Sequence, residues 1–136
     1  MLQRNKQNQS GFTLVEIMIV VSLVALLSAI TVPNLSRARK RSQAARILAD
    51  LRQIDSAINQ YAIDNGLASG DTLTFSKLKL YLKTGSALYS TGASPLTVSY
   101  GDAFQVDSPI STPVGTGTAM RDVIPNDFWS PYVLID

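Results

Sequence analysis

Residues 12–32 read FTLVEIMIVVSLVALLSAITV, an apolar run that decides how the rest of the chain is interpreted. Sixteen of these 21 residues are apolar and one, Glu16, is charged. About 20 apolar residues in an α-helix cross the hydrocarbon core of a bilayer. A cleaved secretory signal has only about 7–15 apolar residues and ends at an Ala-x-Ala-like site. Here the run is longer, and Pro33-Asn34 follows it without a clear site of that type. The sequence therefore predicts a membrane-spanning helix that is retained.

The composition of the 136-residue chain excludes most enzyme chemistry. It contains no cysteine, no histidine and a single glutamate, and we find no nucleophile motif, phosphate-binding loop or metal-ligand cluster. We therefore expect no catalytic residue and no enzymatic activity. Residues 12–136 carry ten basic and ten acidic side chains. A neutral chain of this kind is not typical of a nucleic-acid-binding domain.

The segment before the apolar run has a recognisable arrangement. Residues 11–16, GFTLVE, follow a short polar leader that contains Arg4 and Lys6. This arrangement resembles the N-terminal signature of type IV prepilins, a class that includes type IV pilins and the pseudopilins of type II secretion systems. The resemblance implies that a membrane-embedded prepilin peptidase cuts between Gly11 and Phe12. It also implies that the peptidase methylates the new amino group of Phe12.

Glu16 lies inside the apolar run and requires an explanation. A carboxylate near the bilayer centre costs about 2.5–3.5 kcal/mol on insertion scales, and less near an interface. It can reach back to the headgroups, or it can pair with Arg4 or Lys6 of the uncleaved chain. After cleavage it can pair with the ammonium group of Phe12, which lies one helical turn away or on a neighbouring subunit. The resemblance implies that Glu16 forms an assembly salt bridge and that Pro33 kinks the helix.

Residues 33–65 continue the helical pattern beyond the apolar run. The apolar positions recur at steps of four and three, which places them on one face of a helix. These positions are Ile47, Leu51, Ile54, Ile58 and Tyr61. Asn65-Gly66 is a typical helix stop. We expect this helix to pack against its own head domain, with a coiled coil as the alternative.

The basic run Arg37–Arg41, RARKR, follows the apolar run. No aromatic residue interleaves with it, so it does not indicate DNA binding. It indicates a solvated face beside the membrane, with headgroup contact as a secondary role. The positive-inside rule favours a cytoplasmic C-terminus. The resemblance implies the opposite topology, with the head in the periplasm, and we adopt it because it also explains residues 1–16.

Residues 66–136 are rich in turn residues, since 29 of these 71 are Gly, Pro, Ser or Thr. Residues 74–82 indicate a short helix and 108–118 a surface loop. Residues 96–100 and 104–106 alternate as strands. We expect a hairpin with a three-residue loop, 101–103, which pairs Tyr100 with Phe104 and Val98 with Val106, because a two-residue loop would place their apolar sets on opposite faces. Residues 128–134 are expected to form a final strand that closes the sheet.

The C-terminal residues Trp129, Pro131 and Tyr132 partly resemble the ending of major pseudopilins, in which nearby oxygens bind calcium. Asp122 and Asp127 have oxygens of the kind that calcium prefers. The spacing differs from that of the family, so we expect no metal and no cofactor, with calcium as the alternative.

Taken together, the sequence predicts an α+β, type IV pilin-like fold. Residues 1–11 form a cleaved leader, 12–32 a transmembrane or filament-core helix, 33–65 its amphipathic continuation and 66–136 a small head with an antiparallel sheet. The resemblance implies a filament subunit with its head in the periplasm. Its expected partners are prepilin peptidase, copies of itself, other pseudopilins, and a secretion platform and ATPase.

Pilins of the resembled family commonly have a cysteine pair that closes a C-terminal loop. The resemblance therefore favours a type II secretion pseudopilin, for a short chain without cysteine, over a pilin of an adhesion, motility or DNA-uptake pilus. A monomeric membrane-anchored binding module is the other alternative.

Overall fold

A computed structural model describes residues 11–136, so residues 1–10 of the predicted leader lie outside the described residues. The chain forms two compact units, one ending at Ser36 and one comprising Arg37–Asp136. A single helix, α1, runs from Leu14 to Asn65 and contributes residues to both units. The predicted long helix and its stop are confirmed, since Gly66 follows with a φ of 64°. Glycine adopts this left-handed conformation without steric cost.

The first unit presents an exposed helical surface, because every residue from Gly11 to Ser36 is exposed. Three hydroxyl groups within its apolar stretch are satisfied within the helix. The hydroxyl groups of Ser22, Ser28 and Thr31 each donate to the carbonyl four residues earlier, at 2.7, 2.8 and 2.9 Å. A helix in lipid must satisfy its polar groups internally. Helix α1 contains an apolar window long enough to cross a membrane.

The second unit has one core, built around one face of α1. The predicted face is confirmed, because Ile47, Leu51, Ile54 and Ile58 are buried. Side chains from the rest of the head cover this face, and the largest of them is Trp129. The fold is therefore α+β, as predicted. Its short elements are β1 Thr72–Thr74, α2 Phe75–Leu78, α3 Ala87–Thr91, β2 Ala103–Gln105, α4 Thr116–Met120, and 3₁₀ helices at Lys79–Tyr81 and Asn126–Trp129.

The sheet is antiparallel, but its strands are not the predicted pair. Strand β2 pairs with β1, with Leu73 opposite Phe104. The predicted hairpin of residues 96–100 with 104–106 is wrong. Residues 94–98 form a turn, since the amide of Ser94 donates to the carbonyl of Val98 and Thr97 has a φ of 62°. The predicted helix over residues 74–82 is confirmed as α2 and the 3₁₀ turn that follows it.

The region after β2 corrects two further predictions. Residues 108–118 are not a surface loop, because Ile110, Thr112 and Thr116 are buried. The Thr116 Oγ1 donates to the carbonyl of Pro113 at 2.6 Å, and the Thr112 Oγ1 accepts from the amide of Ile135 at 2.9 Å. The C-terminal tail is not a strand of the sheet either. It makes a single parallel bridge, between Ser111 and Val133.

Candidate processing and assembly site

The predicted cleavage point lies in an accessible segment. Gly11, Phe12 and Thr13 precede α1, and all three are exposed. A Cβ added at Gly11 would meet no atom within 4 Å, so packing within the described chain does not require glycine there. The Phe12 side chain is 84% exposed. An exposed, non-helical peptide bond of this kind is open to a protease.

Glu16 makes a reciprocal cap with Thr13 at the start of α1. The Thr13 amide and hydroxyl both donate to Glu16 Oε2 at 2.9 Å, and the Glu16 amide donates to Thr13 Oγ1 at 3.3 Å. This is a capping box, in which a Thr and a Glu three residues later satisfy free amide groups of the first helical turn. Sequence reasoning named Glu16 but missed Thr13, although the spacing T-x-x-E carries the signal.

Apolar side chains beyond this cap form grooves on the exposed part of α1. Such grooves can receive the side chains of another helix. One groove is lined by Val15, Met18, Ile19, Ser22, Leu23 and Leu26. Ala25 and Ala29 are also exposed and lie four residues apart, which is a spacing that lets two helices approach closely.

An ion pair joins α1 to the C-terminal part of the head. Lys40 Nζ donates to both carboxylate oxygens of Asp122, at 2.8 and 2.9 Å. This hydrogen bond is the main reason that the pKa of Asp122 is lowered, and the charge of Arg37 contributes the least to that shift. Lys40 is the first partly buried residue along the described chain. The ion pair thus marks the point at which the head begins to cover α1.

A second polar contact joins α1 to the segment before β2. The Tyr100 hydroxyl donates to Asp50 Oδ2 at 2.9 Å. Burial raises the pKa of Asp50, an effect that the Tyr100 hydrogen bond and the Arg46 charge oppose. Burial and the same hydrogen bond raise the pKa of Tyr100 well above its usual value. Tyr100 therefore keeps its proton and acts as the hydrogen-bond donor to the half-buried carboxyl group of Asp50.

Asp122, one of the two candidate calcium ligands, forms an ion pair with Lys40. Both oxygens of Asp122 accept from Lys40. Within residues 11–136, no three His, Cys, Asp or Glu side chains gather closely enough to hold a metal ion. Asp122 and Asp127 therefore do not form a metal centre with a third acidic side chain in this part of the chain.

Comparison with known proteins shows the family of this chain. A family model described as the prokaryotic N-terminal methylation motif matches residues 6–32. The type IV major fimbrial protein FimA of Dichelobacter nodosus is 32% identical over 120 residues, which cover 84% of this chain and 76% of FimA. This chain belongs to the type IV pilin and pseudopilin family. Members of this family are structural proteins.

Other members of the family match a shorter part of the chain. The type II secretion system core protein G of Klebsiella michiganensis is 35% identical over 60 residues, or 44% of this chain and 42% of that protein. The type IV wide pilus major component PilA4 of Thermus thermophilus is 41% identical over 59 residues, or 43% of this chain and 45% of PilA4. The chain thus aligns with less than half the length of these relatives. No solved structure matches it significantly.

Proposed function

We propose that this chain is a structural filament subunit, a pseudopilin-like component of a type II secretion system that polymerises from the bacterial inner membrane. One observation carries the proposal. In the first unit, residues 14–36 of α1 expose apolar side chains on all sides of the helix, whereas the second unit has a core of its own. A bilayer covers such a surface before assembly, and neighbouring copies of the same helix cover it afterwards.

Maturation requires a prepilin peptidase as the first partner. The enzyme removes residues 1–11 and methylates the amino group of Phe12, which makes it a secondary amine that remains positively charged. The accessible segment at Gly11 supports this step. Gly11→Val should block cleavage, because a side chain obstructs the close approach of the peptidase. The variant should run as a slower, full-length band on a gel, and normal processing of it would contradict the proposal.

Assembly then pairs Glu16 with the Phe12 ammonium group of a neighbouring subunit. In the described chain Glu16 is held by Thr13 and not by another charge. A buried carboxylate and a buried ammonium are each costly without a partner. Their pairing guides docking and fixes the axial register of the filament. Pairing within one subunit, one turn apart, is the competing arrangement.

Filament yield tests the assembly step directly. Glu16→Ala should still be inserted and cleaved, because the bond between Gly11 and Phe12 is unchanged, but it should polymerise poorly. Glu16→Asp, which is one methylene shorter, should give an intermediate yield. Filaments sheared from cells overproducing each variant are scored beside the processed band. Normal filaments from Glu16→Ala would refute pairing between subunits.

The proposed location is the inner membrane, in a single pass with the head in the periplasm. The apolar window of α1 supports the membrane anchor. The topology places the leader in the cytoplasm, where the peptidase site is expected. Pro33, which lies inside α1, is proposed to kink the helix near the periplasmic surface. A protease added to spheroplasts should degrade the head, whereas a protected head would contradict this topology.

The type IV pilus is a second candidate function, and one observation favours it. The fimbrial protein FimA aligns with 84% of this chain, whereas the first secretion relative aligns with 44%. Secretion core proteins of several species nevertheless match. Deleting the gene separates the two functions. Loss of a secreted protein supports the secretion role, with the secretion platform and ATPase as partners, and loss of surface filaments supports the pilus.

A further inference from the structure

Three arginines form a cationic cluster at the start of the second unit. Arg37, Arg39 and Arg41, here called the arginine collar, are all exposed. The chain carries no acidic residue between Glu16 and Asp50. Within residues 11–136 the ion pairs are Lys40–Asp122 and Arg121–Asp136, so no arginine of the collar has an ion-pair partner there. The collar is therefore a concentration of positive charge with no ion pair in the described head, where Arg37 has only a weak electrostatic influence on Asp122.

The collar residues do not share one face of α1. At about 100° per residue, Arg37 and Arg41 lie within roughly 40° of each other, and Arg39 lies on the opposite side of the helix. Lys40, between them in sequence, is the residue that turns toward the head and contacts Asp122. A protein partner with a flat surface contacts one face of a helix. A layer of lipid headgroups surrounds the helix and reaches both sides.

The position of the collar along the chain matches such a layer. Arg37 follows the last apolar residue of the span, Val32, by five residues, and Arg41 follows it by nine. These intervals correspond to roughly 8–14 Å of helix, and the headgroup region on each side of a bilayer is about 5–8 Å deep. Arginine side chains extend back along the helix by several ångströms, which brings their guanidinium groups to that depth.

We propose that the arginine collar binds the phosphate groups of anionic phospholipids in the leaflet next to the head, an inference that rests on the proposed membrane-anchored subunit. Each guanidinium can donate two parallel hydrogen bonds to a phosphate. Bound headgroups neutralise positive charge that the positive-inside rule would otherwise place in the cytoplasm. They also hold the subunit at a fixed depth, and these contacts must break when the subunit leaves the membrane for the filament.

Lipid selectivity of the full-length protein tests the collar. The protein is reconstituted in phosphatidylcholine vesicles, and electron paramagnetic resonance measures the association of spin-labelled phosphatidylglycerol relative to spin-labelled phosphatidylcholine. We expect an approximately two- to fivefold preference for the anionic lipid. The preference should fall markedly in the triple variant R37Q/R39Q/R41Q, in which Arg4, Lys6 and Lys40 remain, and to about one for the unmodified protein in about 1 M salt. The matched control, R46Q/R52Q/R121Q, removes the same charge from elsewhere and should keep the preference.

Two outcomes would overturn the proposal. Equal preference in the collar variant and in the control variant would mean that net charge, and not the collar, attracts the lipid. A collar variant that keeps its lipid preference but loses filaments would place a protein partner on the collar. Salt dependence of the unmodified protein provides a test that does not depend on the variants folding. Processing and filament yield are scored separately, so failure of the filament proposal is distinguishable from failure of the lipid proposal.

Discussion

The two halves of α1 belong to one helix but meet different surroundings. Residues 14–36 expose apolar side chains in every direction, and Leu27, for example, is 66% exposed. From Arg37 onward the same helix buries one face, and Leu51 is fully buried. The second half has an amphipathic pattern because the chain supplies its cover. The first half is apolar all round because its cover, lipid or neighbouring helices, comes from outside the chain.

This contrast separates two kinds of substitution. A change in the second half, or in the residues that cover it, should alter the stability of the head. A change in the first half should alter insertion or assembly and leave the head intact. Five measurements on variants of the full chain, in detergent or in vesicles, test this division.

The largest effect is expected at the cover of the second half. Trp129 is 1% exposed and packs edge to face with Phe128, with ring centroids 5.2 Å apart. Trp129→Ala should lower the free energy of unfolding by about 3–5 kcal/mol, because it removes the largest buried side chain and leaves a cavity. Chemical denaturation of the head measures the loss. A negligible change would show that residues after α4 are not part of the core.

A matched pair of leucines tests the contrast within α1 itself. Leu51→Ala should lower the free energy of unfolding of the head by about 2–5 kcal/mol, because the side chain is enclosed. Leu27→Ala removes the same atoms from the exposed half and should leave that free energy unchanged. The thermal midpoint of the head is measured for both. A comparable loss in both variants would mean that the first half contributes to the folding of the head.

How far the sequence predicts this molecule depends on how local each signal is. The helix from Leu14 to Asn65, its stop and its buried face follow from composition and from a period of 3.6 residues, both of which are local. The sheet does not follow from local signals, because β1 and β2 have three residues each and pair across about 30 residues of sequence. Alternation in residues 96–100 indicated a strand, but the turn at Thr97 prevents it.

The candidate site also combines features that are local in sequence with contacts between distant residues. The predicted peptidase site and Glu16 are contiguous in sequence, so the sequence alone is enough to predict them. The bonds of Lys40 to Asp122 and of Asp50 to Tyr100 join residues 82 and 50 positions apart. Sequence periodicity does not indicate contacts between residues so far apart, so only the folded structure reveals these two pairs.

A smaller effect on stability is expected at Tyr100, whose hydroxyl group contacts Asp50 in the second half of α1. Tyr100→Phe should lower the free energy of unfolding by about 1 kcal/mol, because Asp50 loses a hydrogen-bond donor. Tyr132→Phe is the control, since its hydroxyl has no hydrogen bond within the described residues and it should change little. Urea denaturation of both variants measures the difference. If both variants lost the same free energy of unfolding, a change in the hydration of the ring, and not the loss of the bond to Asp50, would explain the effect.

The pH dependence of this contact has a definite sign. Because burial raises the pKa of Asp50 above its ordinary value of 3.8, the folded state holds a proton there more tightly than the unfolded state. The corresponding stability is present below pH 3.8 and is lost as the pH rises through the folded pKa. Asp50→Asn keeps an acceptor for Tyr100 without this loss. Its stability relative to the unmodified protein should therefore improve between pH 3.5 and 7.

The smallest effect is expected at the boundary between the two halves, where Lys40 meets Asp122. Both side chains are partly exposed, at 34% and 59%, so solvent screens their attraction. Asp122→Asn should produce only a slight fall in the thermal midpoint, which should vanish at high salt. The pKa of Asp122 is lowered mainly by the Lys40 hydrogen bond, so the pair's stabilisation is present above pH 3.8 and is lost as the pH falls through the folded pKa. If Asp122→Asn instead destabilised the head as much as Leu51→Ala, the boundary would depend on this ion pair and not on where the buried apolar face begins.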